Sequence, residues 1–211
     1  MEHSKIEYLL PEEIEKRSFE IITEELLKRN ISLPKEEELI TKLVIHTSAD
    51  FDYAETLCYS KGAVEILKEL IKNGADIVTD TNMALAGINK KALTKFGGEA
   101  HCFMADEEIA LRAKQRNVTR AAVSMEKAAK IEKPVVFAIG NAPTALIKLY
   151  EMIEKLDWKP AFIIGVPVGF VNVEAAKELI LKTNIPYIIN RGRKGGSNIA
   201  AAICNAVLYQ V

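Results

Sequence analysis

Beyond residue 74, four short apolar runs recur at regular intervals: ADIVTD (75–80), PVVFAIG (134–140), PAFIIGVPVG (160–169) and IPYIIN (185–190). A fifth, GEAHCFMAD (98–106), is weaker. Segments long enough for helices separate them: 81–88, 106–116, 118–131, 141–156, 173–183 and 196–208. Strands that short and that apolar are buried on both faces, and strands joined through helices run parallel. The pattern predicts an α/β fold, a single three-layer α/β/α domain over 1–211 with a mainly parallel, doubly wound sheet. Residues 1–38 read as a helical N-terminal extension packed on it. Pro11 suits a first-turn position, acids crowd the start, and Ile14, Phe19, Ile22 and Leu26 form a helical stripe. The segment LITKLVIHTSAD (39–50) reads as a short apolar run with His46 at its end, as at the end of a strand. Another helix is expected near 59–73, closed by Asn73-Gly74.

Composition removes several function classes. The chain has 211 residues and a formal net charge of −1, so no global basic field points to nucleic acid. No run approaches the ~20 apolar residues of a membrane span, and the N-terminus lacks an apolar leader core. Cys58, Cys102 and Cys204 are sparse and odd in number, which fits reduced thiols in a cytoplasmic protein. His3, His46 and His101 are too scattered for a local metal site, and no metal is expected. His3 belongs to a frayed terminus, and His101, inside an apparent strand, has a structural role.

In a parallel sheet, function gathers where strand C-termini lead into helices. The unusual residues of this chain lie there: Asp80, Thr81 and Asn82 after one strand; Gly140, Asn141, Pro143 and Thr144 after another; Gly165, Pro167, Gly169 and Asn172 after a third. The fourth strand leads into GRKGGSN (192–198). There Arg191, Arg193 and Lys194 stand among Gly192, Gly195 and Gly196, with Ser197 at a helix start. Bare backbone N–H groups, a helix N-terminus and three cations in one place suit an anionic ligand. Backbone N–H groups near Gly140, Gly169 and Gly195 are further candidates, and Asn141 or Thr144 is expected to cap the helix beside it.

The glycine spacing does not fit a dinucleotide fingerprint, and the loop follows the last strand instead of the first. No phosphate-binding GxxxxGK[ST] and no GxSxG elbow occur. Ser48, His46 and Asp50 supply the residue types of a hydrolytic triad, but alternate residues on one segment cannot face one another. His46 is either a histidine tied down by Thr47 or Asp50, or a positioned proton donor at the mouth of a pocket.

The segments HTSADFDYAE (46–55), TDTNMALAGI (79–88), CFMAD (102–106), TRAAVSM (119–125), AIGNAPTAL (138–146), IGVPVGFVNVEAAK (164–177) and PYIINRGRKGGSNIAAAICNA (186–206) together resemble the precorrin-8X methylmutase and cobalt-precorrin-8 methylmutase family of cobalamin biosynthesis. The resemblance implies an isomerase that moves a methyl group from carbon 11 to carbon 12 of the corrinoid precursor. The shift is intramolecular, so no cofactor is implied, and any cobalt belongs to the substrate. The implied partner is a tetrapyrrole or corrinoid substrate with multiple carboxylates, and the implied assembly is a homodimer with pockets near its interface. The family's catalytic histidine falls on His46. Thr47, Ser48, Asp50, Arg120, Asn141, Thr144, Gly169, Arg191, Arg193, Lys194, Gly195, Gly196 and Ser197 are the substrate-binding candidates. Two positions depart from the pattern. Many relatives carry an arginine three residues before the histidine, where this chain has Leu43, so that contact is either lost or supplied by Lys42. Glycine often stands where Ala49 is. A corrinoid carrier that kept the fold without the chemistry, and a nucleotide-binding domain using GRKGGSN, are the alternatives.

Overall fold

The computed structural model describes residues 6–156 and 158–211; His3 lies outside them. Its sheet has six strands: β1 (Leu57–Tyr59), β2 (Asp76–Thr79), β3 (Ala100–His101), β4 (Val135–Ile139), β5 (Phe162–Gly165) and β6 (Tyr187–Asn190), in the order β1-β6-β5-β4-β2-β3. All neighbours pair in parallel except β1, which runs antiparallel along β6 at the edge. The mainly parallel sheet agrees with the sequence. The strand β1 and the short helix α3 (Tyr53–Thr56) were not anticipated.

The period of a strand sends alternate residues to opposite faces. Ile77, Val136, Ala138, Phe162, Ile164 and Ile188 pack on one side, against α2 (Glu38–Ser48), α4 (Ala63–Lys72), α5 (Asn82–Gly87) and α11 (Ser197–Leu208). Val78, Phe137, Ile139, Ile163 and Ile189 pack on the other, against α8 (Arg120–Ala128), α9 (Pro143–Leu156) and α10 (Val173–Leu181). Each large aliphatic side chain so buried contributes about 1.5–3 kcal/mol. Helix α1 (Pro11–Lys28) starts at Pro11, as predicted, with the Glu13 carboxylate accepting from Leu10 N–H at 3.1 Å. Its Ile22 and Leu26 join the core beside Ile40 and Val44. The short helices α6 (Lys90–Thr94) and α7 (Glu107–Arg116) complete the connections on either side of β3.

One expectation fails. The run at 39–50 is helix α2, with His46 in its last turn, and not a strand. Ile40, Thr41, Val44 and Ile45 are its buried stripe, at the three- and four-residue spacing of a helix. The β-branched run misleads because burial against α1 and α11 overrides local propensity.

Candidate active site

The chain passes from β2 outward to β3, then returns to the other side of β2 with β4. The crevice above the C-terminal ends of β2 and β4 is therefore where the sheet splays two turns apart. In this molecule Asp80 fills it. Its carboxylate, 1% exposed, accepts from the N–H groups of Gly140 and Asn141, each at 2.8 Å, and of Ala142 at 2.5 Å. Burial raises the Asp80 pKa, and the three N–H donors hold back part of that rise. The turn expected to offer N–H groups to a ligand at Gly140 is thus already occupied. Gly140 itself is required by space: a Cβ there would lie 2.7 Å from Ser197 Cα. The hydroxyls of Thr81 and Ser197, 2.7 Å apart, join the β2 turn to the start of α11.

The GRKGGSN loop is built differently. Its carbonyl oxygens point inward. Asn190, fully buried on β6, donates its amide to Arg191 O at 3.1 Å and Lys194 O at 2.9 Å. The Asn190 amide oxygen accepts from the Thr56 hydroxyl at 2.6 Å. Lys177, also fully buried, donates to Gly192 O at 2.7 Å and Lys194 O at 2.8 Å. Arg193 O accepts from Gly169 N–H at 3.1 Å, so the predicted donor at Gly169 is engaged. Gly196 N–H likewise goes to Val166 O. Gly195 presses so close to the β5 loop that a Cβ would meet Val166 O at 2.1 Å. Among the described residues, the N–H groups of 192–195 and of 197–199 have no hydrogen-bond acceptor in the protein. Arg191, Arg193 and Lys194 all face solvent.

The cations are not idle. Lys194 donates to Asp50 at 2.6 Å and to Asp52 at 2.5 Å, tying the basic loop to the HTSAD segment. The ammonium beside it lowers the Asp50 pKa, and the two carboxylates raise that of Lys194. Asp50 therefore orients the loop and not His46. Arg193 pairs with Glu174 at 3.1 Å and lies over the Phe170 ring; Arg191 pairs with Glu178 at 3.4 Å. These arginine pairs are exposed, and exposed pairs exchange partners at little cost.

His46 is exposed, and its ring lies 5.9 Å from that of Phe19 on α1. Thr47 is exposed beside it. The Ser48 hydroxyl donates to Val44 O at 2.8 Å and takes no part in a triad. Ala49 closes α2 with φ 54°, the left-handed conformation that favours glycine. Lys42 is paired with Glu38, and Leu43 lines a groove of about 750 Å³ between α1, α2 and the end of α11, with Phe19, Thr23, Leu39 and Tyr209. None of the basic loop lines that groove. Beside the loop the 168–171 segment exposes Val168, Phe170 and Val171, and Met83 on α5 is exposed as well.

Arg120 is exposed in the first turn of α8, and no carboxylate pairs with it among the described residues. Thr119 caps α8 and donates to the Thr144 hydroxyl at 2.9 Å. This brings Arg120 to the GNAPT turn, but not into contact with the basic loop. Neither Thr144 nor the exposed Asn141 makes the expected side-chain cap: Thr144 accepts from Thr119, and Asn141 contributes its N–H to Asp80. His101 has the expected structural role, bonded to Asp76 at 3.2 Å and stacked on Phe103. Two organising residues, Lys177 and Asn190, escaped the sequence reading, and Asp80 was noted at its strand end without a role. Lys177 had a signal: it interrupts the apolar stripe Val173, Ala176, Ile180 of α10.

Residues 13–210 match the family model described as Precorrin-8X methylmutase. The chain is 41% identical over 197 residues to the cobalt-precorrin-8 methylmutase of Priestia megaterium, covering 93% of this chain and 87% of that one. It is 41% identical over 206 residues to the enzyme of the same name from Salmonella typhimurium, covering 95% and 96%. The solved structure of precorrin-8x methyl mutase from Thermus thermophilus superposes with a TM-score of 0.84 at 34% identity, covering 93% of this chain and 96% of that one.

Proposed function

This chain belongs to the precorrin-8X methylmutase family, and from that premise we propose that His46 and the basic loop are the two working parts of its active site. The protein is an isomerase of corrin biosynthesis. Its reaction breaks the bond from a methyl group to carbon 11 and forms one to carbon 12 of precorrin-8 or cobalt-precorrin-8, giving hydrogenobyrinate or cobyrinate. Nothing enters or leaves the molecule, so the protein must bind, orient and polarise the macrocycle.

The observation that carries the site assignment is the Lys194 bridge to Asp50 and Asp52, which places the cationic loop beside the segment headed by His46. Arg191, Arg193 and the free N–H groups of the loop receive substrate carboxylates, which displace exposed intramolecular pairs. Arg120 receives another from the far side of the rim. His46, exposed in the last turn of α2, donates a proton or hydrogen bond to the ring-C region and withdraws electron density as the methyl group migrates. The relatives' names support the cobalt-containing substrate. A large flat substrate on an open rim leaves one face uncovered. The exposed Met83, Val168, Phe170 and Val171 support closure by a second copy in a homodimer. Among the described residues no helix is long and apolar enough to cross a membrane. The three unpaired cysteines support a cytoplasmic setting.

The test is the absorption spectrum of cobalt-precorrin-8 mixed with wild type and with His46→Ala. Wild type shifts the chromophore band, and the variant binds while turning over about 10²–10⁴-fold more slowly. Equal rates would remove His46 from the chemistry. Binding without a shift in either protein would support a corrinoid carrier.

A further inference from the structure

We propose that Lys177 is the positioning residue of the basic loop: its buried ammonium gathers the loop's carbonyl oxygens and so turns the N–H groups and cationic side chains toward the substrate's carboxylates. This rests on the isomerase reading above and deepens it.

Four successive carbonyls, of residues 191–194, all have inward donors: Asn190 for Arg191, Lys177 for Gly192, Gly169 N–H for Arg193, and both Asn190 and Lys177 for Lys194. A peptide whose oxygen is fixed inward presents its N–H elsewhere, and the N–H groups of 192–195 remain without protein acceptors among the described residues. Gly192, with φ 72°, and Gly195, pressed on Val166, allow a chain path that most residues would refuse. Neutral Asn190 supports the two ends of the turn, and Lys177 supports Gly192 and shares the Lys194 end.

The choice of a lysine is informative because it is costly. A fully buried ammonium is normally paired with a carboxylate. Lys177 meets two peptide oxygens instead, and burial pushes its pKa down to about 8, against an opposing pull from Glu174. If packing of α10 were the only demand, an apolar residue of similar length would serve better. What an ammonium adds is the ability to hold two carbonyls and to place a positive charge beneath a loop that receives anions. The charged group that acts on it is Glu174, from its own helix; Arg193 pairs with that Glu174, and Lys194 turns its ammonium out to Asp50 and Asp52.

The experiment compares wild type and Lys177→Met for KM and kcat on cobalt-precorrin-8, and for amide hydrogen exchange of Gly169, Arg191 and Gly196, the amides whose hydrogen bonds hold the loop, in the substrate-free protein. KM is expected to rise at least about tenfold while kcat stays within about threefold, since binding is lost without touching the reacting atoms. Exchange of the loop is expected to accelerate while β4 and β5 keep their protection. Unchanged KM with unchanged loop exchange overturns the proposal. So does a uniform rise in exchange with kcat and KM both degraded, which would make Lys177 a general strut. Should Lys177→Met fail to fold, Lys177→Gln, a shorter neutral donor, decides: KM is expected to rise at least about threefold with faster exchange at Gly169 and Arg191, whereas wild-type KM and exchange overturn the proposal. Should wild type not turn over the substrate at all, the isomerase reading fails, and the exchange comparison still reports on Lys177.

Discussion

The turns after β4 and β6 stand on the same rim, two strands apart, and are organised in opposite senses. After β4, a buried anion, Asp80, collects the N–H groups of Gly140, Asn141 and Ala142. After β6, a buried cation, Lys177, collects the carbonyl oxygens of Gly192 and Lys194. The first turn is sealed and braces the α11 start; the second leaves its N–H groups outward and is ready for carboxylates. A glycine-bearing turn at a strand end is thus an anion site only when its own protein leaves the donors unclaimed. On the proposed reading the topological switch point, where ligands often sit, belongs to the scaffold, because Asp80 already takes its N–H groups.

The comparison breaks most severely at Asp80. Asp80→Asn replaces an acceptor of three N–H groups by a side chain with its own donors in a buried place. We expect a loss of about 3 kcal/mol or more, read as a melting temperature lower by roughly 10 °C. In the protein that still folds, KM stays within about twofold, because the sealed turn touches no substrate. A large KM effect at unchanged stability would put the ligand at the switch point instead.

Lys177 sharpens the contrast through pH. Its pKa in the folded protein is about 8, below the ordinary 10.5, so between these values the unfolded chain binds the proton more readily. The cost of burying the charge is fully present below pH 8 and is relieved as pH rises toward 10.5. The stability of wild type relative to Lys177→Met should therefore increase over that window, by at most about 3 kcal/mol in denaturant titrations. Substrate affinity should fall over the same window. Parallel changes in stability and affinity would contradict the division between scaffold and site.

The smallest effect is expected from Asp52→Asn. Lys194 keeps Asp50 as its partner, so the loop remains tied to the HTSAD segment. KM should change by less than about threefold, and the change should vanish at high salt, as for other exposed pairs. Spectroscopic kinetics at two ionic strengths would check it.

Much of this arrangement was legible in the sequence because it is local. The apolar runs at 75–80, 134–140, 160–169 and 185–190 predicted β2, β4, β5 and β6, and their turns predicted the rim. The three-residue β1 carries too little pattern to be seen, and α2 was misread because Val44 and Ile45 suit a strand as well as a helix. The site's wiring was not legible, for a different reason. Asp80 meets Gly140 across 60 positions, and Lys194 meets Asp50 across 144. No spacing rule reaches so far. Lys177 was visible as a charge on an apolar stripe, but only the fold shows that it points at the loop.

The most direct measurement is a crystal structure of the protein with the reaction product bound. The account predicts product carboxylates against the N–H groups of 192–195 and the side chains of Arg191 and Arg193, with His46 at the edge of ring C and Asp80 still holding residues 140–142. Carboxylates seated at Gly140–Ala142, or a macrocycle in the groove between α1 and α2 away from the basic loop, would contradict it.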